Sequence, residues 1–140
     1  MKEIQKKQLE IFENAGGTIL ENLDNISTDI IVDAIIGYSL FNAPRGESLK
    51  LIEWANNQKS KKISLDVPSG IDSTTGENYG VYFKADTTMT LALPKRGLTE
   101  EKCGNLLLAD IGISKNVYEK IGVKYSSPFS KEYIIPISSK

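Results

Sequence analysis

The chain has 140 residues, of which 40% are hydrophobic and 25% charged, and its formal net charge is −1. These values are typical of one soluble globular domain, and the near-neutral charge predicts neither nucleic-acid binding nor attraction to an anionic membrane. Histidine is absent and Cys103 is the single cysteine. This excludes histidine-dependent nucleophiles, histidine-ligated zinc and an internal disulfide, and it favours a reducing, cytoplasmic location.

The first predicted element is a helix, because its apolar residues share one face before a glycine pair at 16–17 that can end it: Ile4, Ile11, Phe12 and Ala15. The start of the chain is too charged for a signal peptide, and no apolar run is long enough to span a membrane. A short extended piece is expected at 18–20. Residues 29–36, DIIVDAII, then form a nearly unbroken apolar run, which predicts a strand buried on both faces of a parallel sheet.

Residues 37–47 are rich in glycine, asparagine and proline and predict a loop. A helix is expected from 48 to 58, with Leu51, Ile52 and Ala55 facing inward. Strands are expected at 61–67, 86–93 and 104–113. The second of these alternates, so that one face carries Met89, Leu91 and Leu93 and the other carries Thr88, Thr90 and Ala92. Residues 116–140 receive no assignment, and the whole chain is taken as one domain.

The order strand, helix, strand between residues 29 and 67 predicts a βαβ unit. Its crossover brings the carboxyl ends of both strands to the same edge of the sheet, where ligands of open α/β sheets bind. Asp33 and Asp66 lie near those ends. The spacing therefore predicts a crevice with two carboxylates between the loops at 37–46 and 68–80. The alternative is two unrelated aspartates that cap turns.

The segment DVPSG, residues 66–70, allows two interpretations. Pro68 restricts the backbone on both sides and holds Asp66 and Ser69 in a defined relation, while Gly70 permits a close backbone approach to a ligand. Alternatively, both polar side chains only satisfy amides of an ordinary turn. Lys95, on the loop after the strand at 86–93, is interpreted either as a phosphate-facing residue or as an exposed surface lysine.

Taken together, several motifs resemble one family over residues 1–115: IVDAIIG (31–37), DVPSGID (66–72), Gly76, Ala85-Asp86, LALPKRGL (91–98) and GNLLLADIGI (104–113). They resemble the YjeF N-terminal domain family, the NAD(P)H-hydrate epimerases. The resemblance implies a Rossmann-like three-layer α/β/α fold with a mostly parallel sheet. It also implies interconversion of the R and S epimers of hydrated NADH or NADPH (NADHX, NADPHX), so that a partner dehydratase can repair the S form.

The resemblance also implies roles for particular residues. Asp33 and Ser69 match ligands of a potassium ion, and Asp66 matches the carboxylate that contacts the substrate and is the candidate proton donor or acceptor. The loop that binds the hydrated nucleotide matches Gly37, Tyr38, Ser39, Leu40, Phe41, Asn42 and Ala43. Oxygen donors suit a hard cation, and epimerisation requires a group that transfers protons.

One family feature has no counterpart in this sequence. Family members have upstream helices and a strand ending in an N-G-G-D-G-type loop that binds phosphate and potassium. The nearest string, NAGGT at 14–18, lacks the aspartate. We therefore expect an incomplete domain that functions as a homo-oligomer or with a complementary N-terminal chain. The competing hypotheses are a non-catalytic scaffold or dimerisation module and a nucleotide-binding module.

Overall fold

The computed structural model describes residues 3–38 and 42–138. Its helices and strands, in chain order, are α1 (Glu3–Asn14), β1 (Ile30–Asp33), α2 (Glu47–Asn57), β2 (Lys61–Leu65), β3 (Thr87–Leu91), α3 (Glu100–Cys103), β4 (Asn105–Ala109), α4 (Lys115–Lys120) and β5 (Ile134–Pro136). None of the helices in these two ranges is both long and apolar enough to cross a membrane.

The strands form one sheet in the order β1-β2-β3-β4-β5. The first four strands are parallel, and β5 pairs with β4 in the antiparallel direction. Helix α2 connects β1 to β2, so the predicted βαβ unit is present. The prediction of a Rossmann-like α/β fold with a mostly parallel sheet is confirmed.

Several predicted boundaries differ from the structure. The four parallel strands are shorter than the segments that were predicted to form them. The expected extended piece at 18–20 is not a strand. Helix α3, helix α4 and strand β5 were not predicted; the last two lie at or beyond the edge of the unassigned tail and are short, which leaves little periodicity to detect.

The two faces of the sheet differ in what covers them. We call one the covered face: its central positions are Asp33, Ser64 and Thr88, which lie opposite one another across β1, β2 and β3. Helix α2 buries Ile52 and Ala55 against this face. Helix α3 covers the part near β4, where Cys103 packs with Leu98 and Leu106.

We call the other side the open face. Ile30 and Val32 at the β1 edge are 52% and 54% exposed, so the prediction that this strand is buried on both faces is wrong for the described residues. Five larger apolar side chains of the inner strands on this face are only half-buried: Ile63, Leu65, Met89, Leu91 and Leu107. Helix α1 buries none of its side chains. Leu51, predicted to face inward, is also exposed, since α2 turns only Ile52 and Ala55 to the sheet.

Strand β3 places its threonines, rather than its larger apolar residues, in the buried layer. Thr88 and Thr90 are fully buried on the covered face, whereas Met89 lies half-buried on the open face. The Thr88 hydroxyl donates a 2.7 Å hydrogen bond to the carbonyl of Cys103. A buried hydroxyl is tolerated when it has such a partner, and this bond also fixes α3 to the sheet.

Candidate functional site

Asp33, the last residue of β1, is the centre of a buried hydrogen-bond network. Its side chain is 1% exposed. Oδ1 accepts hydrogen bonds from the Ser69 hydroxyl at 2.6 Å and the Ile35 amide at 3.2 Å. Oδ2 accepts from the Ser69 amide at 2.8 Å and the Ser64 hydroxyl at 3.2 Å. Each carboxylate oxygen therefore accepts two hydrogen bonds, and the network joins β1, β2 and the loops that follow them.

Ser69 connects the two loops that the sequence places at this edge. Its hydroxyl also accepts a 2.8 Å hydrogen bond from the Ile36 amide and lies 3.2 Å from the Ile36 carbonyl. The next residue, Gly70, has a φ of +100°, and a Cβ there would lie 2.7 Å from the carbonyl oxygen of Val81. Glycine is therefore required at this position, since a side chain would meet both backbone strain and a backbone clash.

Asp66, which follows β2, occupies a strained turn. Its φ is +69°, and the Val67 amide donates to the Leu65 carbonyl at 2.9 Å, which closes a three-residue γ-turn around Asp66. Non-glycine residues seldom adopt this conformation, and such strain is concentrated at functional sites. The turn redirects the chain from the sheet toward the loop that carries Ser69.

The carboxylate of Asp66 is held asymmetrically. Oδ1 is close to the Leu91 amide at 3.1 Å, the Thr90 hydroxyl at 3.4 Å and the ammonium group of Lys95, which forms an ion pair with it. Among the described residues, none donates a hydrogen bond to Oδ2. The side chain is 25% exposed. Asp66 thus has one fixed oxygen and one available oxygen.

Lys95 is a site residue for which the sequence interpretation left two alternatives open. Its side chain is 15% exposed rather than solvated, and it contacts Asp66 and the carbonyl of Leu91. The surface interpretation of Lys95 is therefore wrong. The signal that could have found it is topological: Lys95 follows β3, whose carboxyl end lies beside that of β2 in the parallel sheet.

A cavity of about 460 Å³ lies beside Lys95 at this edge. Its walls come from the loop after β1, the loop after β2, the end of β3 and helix α4, and they include Tyr38, Ser73, Leu91 and Tyr118. Burial raises the pKa of the Tyr118 phenol, and the nearby Tyr125 and Asp110 act in the same direction. Tyr118, which lines the cavity, is therefore neutral at neutral pH.

The predicted nucleotide loop is only partly described. Gly37 and Tyr38 are exposed next to the site, and Tyr38 lines the cavity. Asn42 and Ala43 are exposed further along the loop. The predictions for Ser39, Leu40 and Phe41 lie outside the described residues.

The oxygens around Ser69 form a donor set that suits a monovalent cation. The Ser69 hydroxyl, Asp33 Oδ1 and the Ile36 carbonyl come together at hydrogen-bond distances. Within the described ranges there is no group of three or more acidic, cysteine or histidine residues that could hold a metal ion. A single carboxylate with neutral oxygens fits a large cation of low charge better than Mg²⁺ or Ca²⁺, which usually take more carboxylate ligands.

The fold and site together define a Rossmann-like α/β protein with a polar site at the carboxyl edge of its parallel strands. The sequence model of the YjeF-related protein N-terminus family matches residues 1–97. The chain belongs to this family. The crystal structure of the yeast protein ynu0, YNL200c, has the same fold: the TM-score is 0.74 at 22% identity, over 97% of this chain and 61% of the yeast chain.

Curated relatives carry names from nicotinamide nucleotide repair. The chain is 42% identical to the NAD(P)H-hydrate epimerase of Dehalogenimonas lykanthroporepellens, over 99% of this chain and 58% of the relative. It is 40% identical to the NAD(P)H-hydrate epimerase of Leuconostoc mesenteroides, over 80% of this chain and 52% of the relative. A bifunctional NAD(P)H-hydrate repair enzyme of Hyperthermus butylicus is 40% identical over 62% of this chain and 17% of the relative. The chain thus spans little more than half the length of these epimerases.

Proposed function

We propose that the chain is an NAD(P)H-hydrate epimerase, or a component of one, that interconverts the R and S epimers of NADHX and NADPHX. The observation that carries this proposal is Asp66: a carboxylate on a strained turn, with one oxygen fixed and the other available, paired with Lys95, which lines a cavity at the ligand-binding edge of the sheet. The names of the relatives support the same reaction.

Asp66 is proposed to transfer protons. The substrate carbon to be inverted carries a hydroxyl group and a ring nitrogen. When Asp66 Oδ2 takes the hydroxyl proton, the carbon–nitrogen bond can break to give a carbonyl, and the Asp66 carboxyl passes the same proton to the nitrogen. After rotation, the nitrogen attacks the opposite face of the carbonyl and reforms the bond, and Asp66 returns the proton to the oxygen. The step is balanced and consumes no other reagent, and a positioned carboxylate contributes about 10²–10⁴-fold to such transfers.

The substrate is proposed to lie between the loop at residues 37–43 and the end of β3. Tyr38 and Tyr118 line the cavity and offer aromatic surface and hydroxyl groups to a ring. The cavity volume of about 460 Å³ is within the range of small-ligand sites. Tyr38 in the cavity wall supports the sequence prediction that this residue binds substrate.

A potassium ion is proposed at Ser69 and Asp33. The Ser69 hydroxyl and the Ile36 carbonyl would be its oxygen ligands, and Asp33 would supply the negative charge. Bound there, the cation would supply positive charge for an anionic substrate group. The protein groups themselves hold the two loops in register through the Ser69–Asp33 bond.

We propose that the open face is covered by association, with a second copy of this chain as the expected partner and a complementary N-terminal chain as the alternative. Ile30 and Val32 lie half-exposed on the unpaired edge strand β1, next to the half-buried apolar residues of the same face. Exposed edges and continuous apolar surfaces favour association. The same observation supports the second candidate function, a non-catalytic scaffold.

The single cysteine, which is buried, suits a cytoplasmic location.

The deciding experiment mixes the purified chain with an R/S mixture of NADHX and an S-specific dehydratase, and follows recovery of NADH from the R form. Faster recovery than spontaneous epimerisation, abolished by Asp66→Asn, is the expected result. If no acceleration occurs, even with a complementary N-terminal chain added, the enzyme proposal is wrong. Light scattering on the same sample tests association: a monomer at all concentrations would contradict the proposed covering of the open face and, with it, the scaffold function.

A further inference from the structure

We propose that Lys95 is a positioning residue for the epimerisation, acting through Asp66. It holds Oδ1 of the carboxylate so that Oδ2 alone is presented to the substrate. This inference rests on the proposed function and adds to it a residue for which the family resemblance implied no role. Its basis is a closed arrangement of Asp66, Leu91 and Lys95.

The arrangement is closed because the Leu91 peptide contacts both charged partners. The Leu91 amide donates to Asp66 Oδ1 at 3.1 Å, and the Leu91 carbonyl accepts from the Lys95 ammonium at 2.7 Å. The same ammonium donates to Asp66 Oδ1. A lysine ammonium has three donors in total, so one remains for the cavity that Lys95 lines. The carboxylate therefore cannot rotate without breaking two of these contacts together.

Backbone strain brings Lys95 to this position. Ala92 has a φ of +65°, and the Leu93 amide donates to the Leu91 carbonyl at 2.7 Å, which forms a γ-turn like that at Asp66. Two neighbouring parallel strands thus end in the same uncommon turn. The turn at Ala92 reverses the chain, so that the Lys95 side chain points back to the strand end and to Asp66. Alanine is disfavoured at positive φ, so the surrounding structure must stabilise this turn.

The burial of the pair separates it from an ordinary surface ion pair. Lys95 is 15% exposed and Asp66 is 25% exposed, whereas the ion pair between Lys50 and Glu47 on α2 joins side chains that are 72% and 81% exposed. Exposed pairs are screened by water and contribute little to geometry. A partly desolvated pair with a shared backbone partner fixes an orientation, and a displacement of about 1 Å at a reacting group can reduce a rate about 100-fold.

The test compares Lys95→Met and Lys95→Ala with Lys84→Met in the R-NADHX assay. Lys84 is an exposed lysine with no described side-chain contact at the site. We expect kcat to fall about 100-fold in both Lys95 variants with little change in KM, and Lys84→Met to behave like the wild type. Ethylammonium added to the solution should restore part of the activity of Lys95→Ala, because it can occupy the vacated site.

Thermal melting of both variants shows whether either substitution destabilises the fold. Lys95→Met is the milder substitution because it retains the apolar stem of the side chain. Unchanged kcat in Lys95→Met, with an active wild type, overturns the role of Lys95 and leaves the proposed function in place. A reduced kcat without ethylammonium rescue, accompanied by a lower melting temperature, also overturns it in favour of a purely structural role. An inactive wild type, with or without a complementary chain, overturns the proposed function and this role together.

Discussion

Asp33 and Asp66 stand at the ends of two neighbouring parallel strands, but the structure treats their carboxylates in opposite ways. Asp33 is buried, and both of its oxygens are occupied by donors from β2 and the two loops. Asp66 is partly exposed on a strained turn, and its described contacts all reach Oδ1. A buried carboxylate whose two oxygens both accept protein hydrogen bonds can hold loops together, whereas a carboxylate with an oxygen that accepts none can also transfer protons.

The difference arises from the turns that follow each strand. After β1 the chain places the Ile35 amide at 3.2 Å from Asp33 Oδ1, and the loop from β2 adds Ser69. After β2 the γ-turn directs the Asp66 side chain toward β3 and Lys95 instead. The network at Asp33 therefore organises the edge at which Asp66 is exposed. Variants that affect one carboxylate without the other can test this division.

The largest effect is expected from Asp66→Asn. Asparagine tolerates positive φ and can still accept the hydrogen bond from the Leu91 amide, so the free energy of unfolding should change by about 1 kcal/mol or less. The epimerisation rate should fall about 10³-fold because the amide cannot take a proton. Coupled NADH recovery and urea unfolding measure the two quantities. A fully active Asp66→Asn would exclude Asp66 as the catalytic group.

Asp33→Ala should have the opposite profile. It leaves the Ser64 hydroxyl, the Ser69 hydroxyl and two amides without their buried acceptor, and we expect a loss of about 3 kcal/mol in the free energy of unfolding. Urea unfolding checks this value. The matched control is Asp29→Ala: Asp29 is exposed just before β1, and its change should be within about 0.5 kcal/mol. A loss as small as that of the control would contradict the structural role of Asp33.

A smaller effect is expected from cation exchange. If potassium binds at Ser69 and Asp33, then replacing sodium by potassium at the same ionic strength should stabilise the fold by about 1 kcal/mol when the ion is several times above its dissociation constant. Ser69→Ala should lose this difference, while Asp66→Asn should keep it. Thermal melts in the two salts provide the measurement. An equal response of wild type and Ser69→Ala would rule out Ser69 as a ligand.

The convergence of Asp33, Asp66 and Ser69 on one edge could be predicted from the sequence. A helix between two strands requires a parallel crossover, and the crossover determines which strand ends are adjacent. The distinction between the two carboxylates could not be predicted in this way. It depends on the γ-turns at Asp66 and Ala92 and on the Ser69–Asp33 bond. The γ-turns are local but place non-glycine residues at positive φ, and the Ser69–Asp33 bond joins residues distant in sequence.

Contacts outside the local sequence also explain why the position of Lys95 and the buried side of strand β3 were not predicted. A lysine four positions after a strand is usually solvated, and only the reversal at Ala92 returns Lys95 to the sheet edge. The alternation in β3 correctly separated Thr88 from Met89, but alternation does not say which side is buried. That choice depends on the Cys103 carbonyl, which accepts the hydrogen bond from the Thr88 hydroxyl, and helix α3 was not predicted.

The smallest effect concerns Asp72, a partly exposed aspartate in the loop after β2, and it completes the comparison. The amides of Thr75 and Thr74 donate to its carboxylate and lower its pKa below the ordinary 3.8. Because the folded pKa is the lower one, the ionised form stabilises the turn above about pH 3.8, and this contribution is lost as the pH falls through the folded pKa.

The measurement is the difference in urea midpoint between the wild type and Asp72→Asn at about pH 6 and about pH 3. Taking this difference cancels the titration of the other carboxyl groups. We expect the wild type to lose part of its advantage at the lower pH, while epimerase activity at neutral pH is the same in both proteins, since Asp72 contacts only its own turn among the described residues. A pH-independent difference would show that these amide bonds do not favour the ionised carboxylate. Asp72 would then differ from Asp66 because its carboxylate has no fixed position. Asp33 differs from Asp66 because it is completely buried.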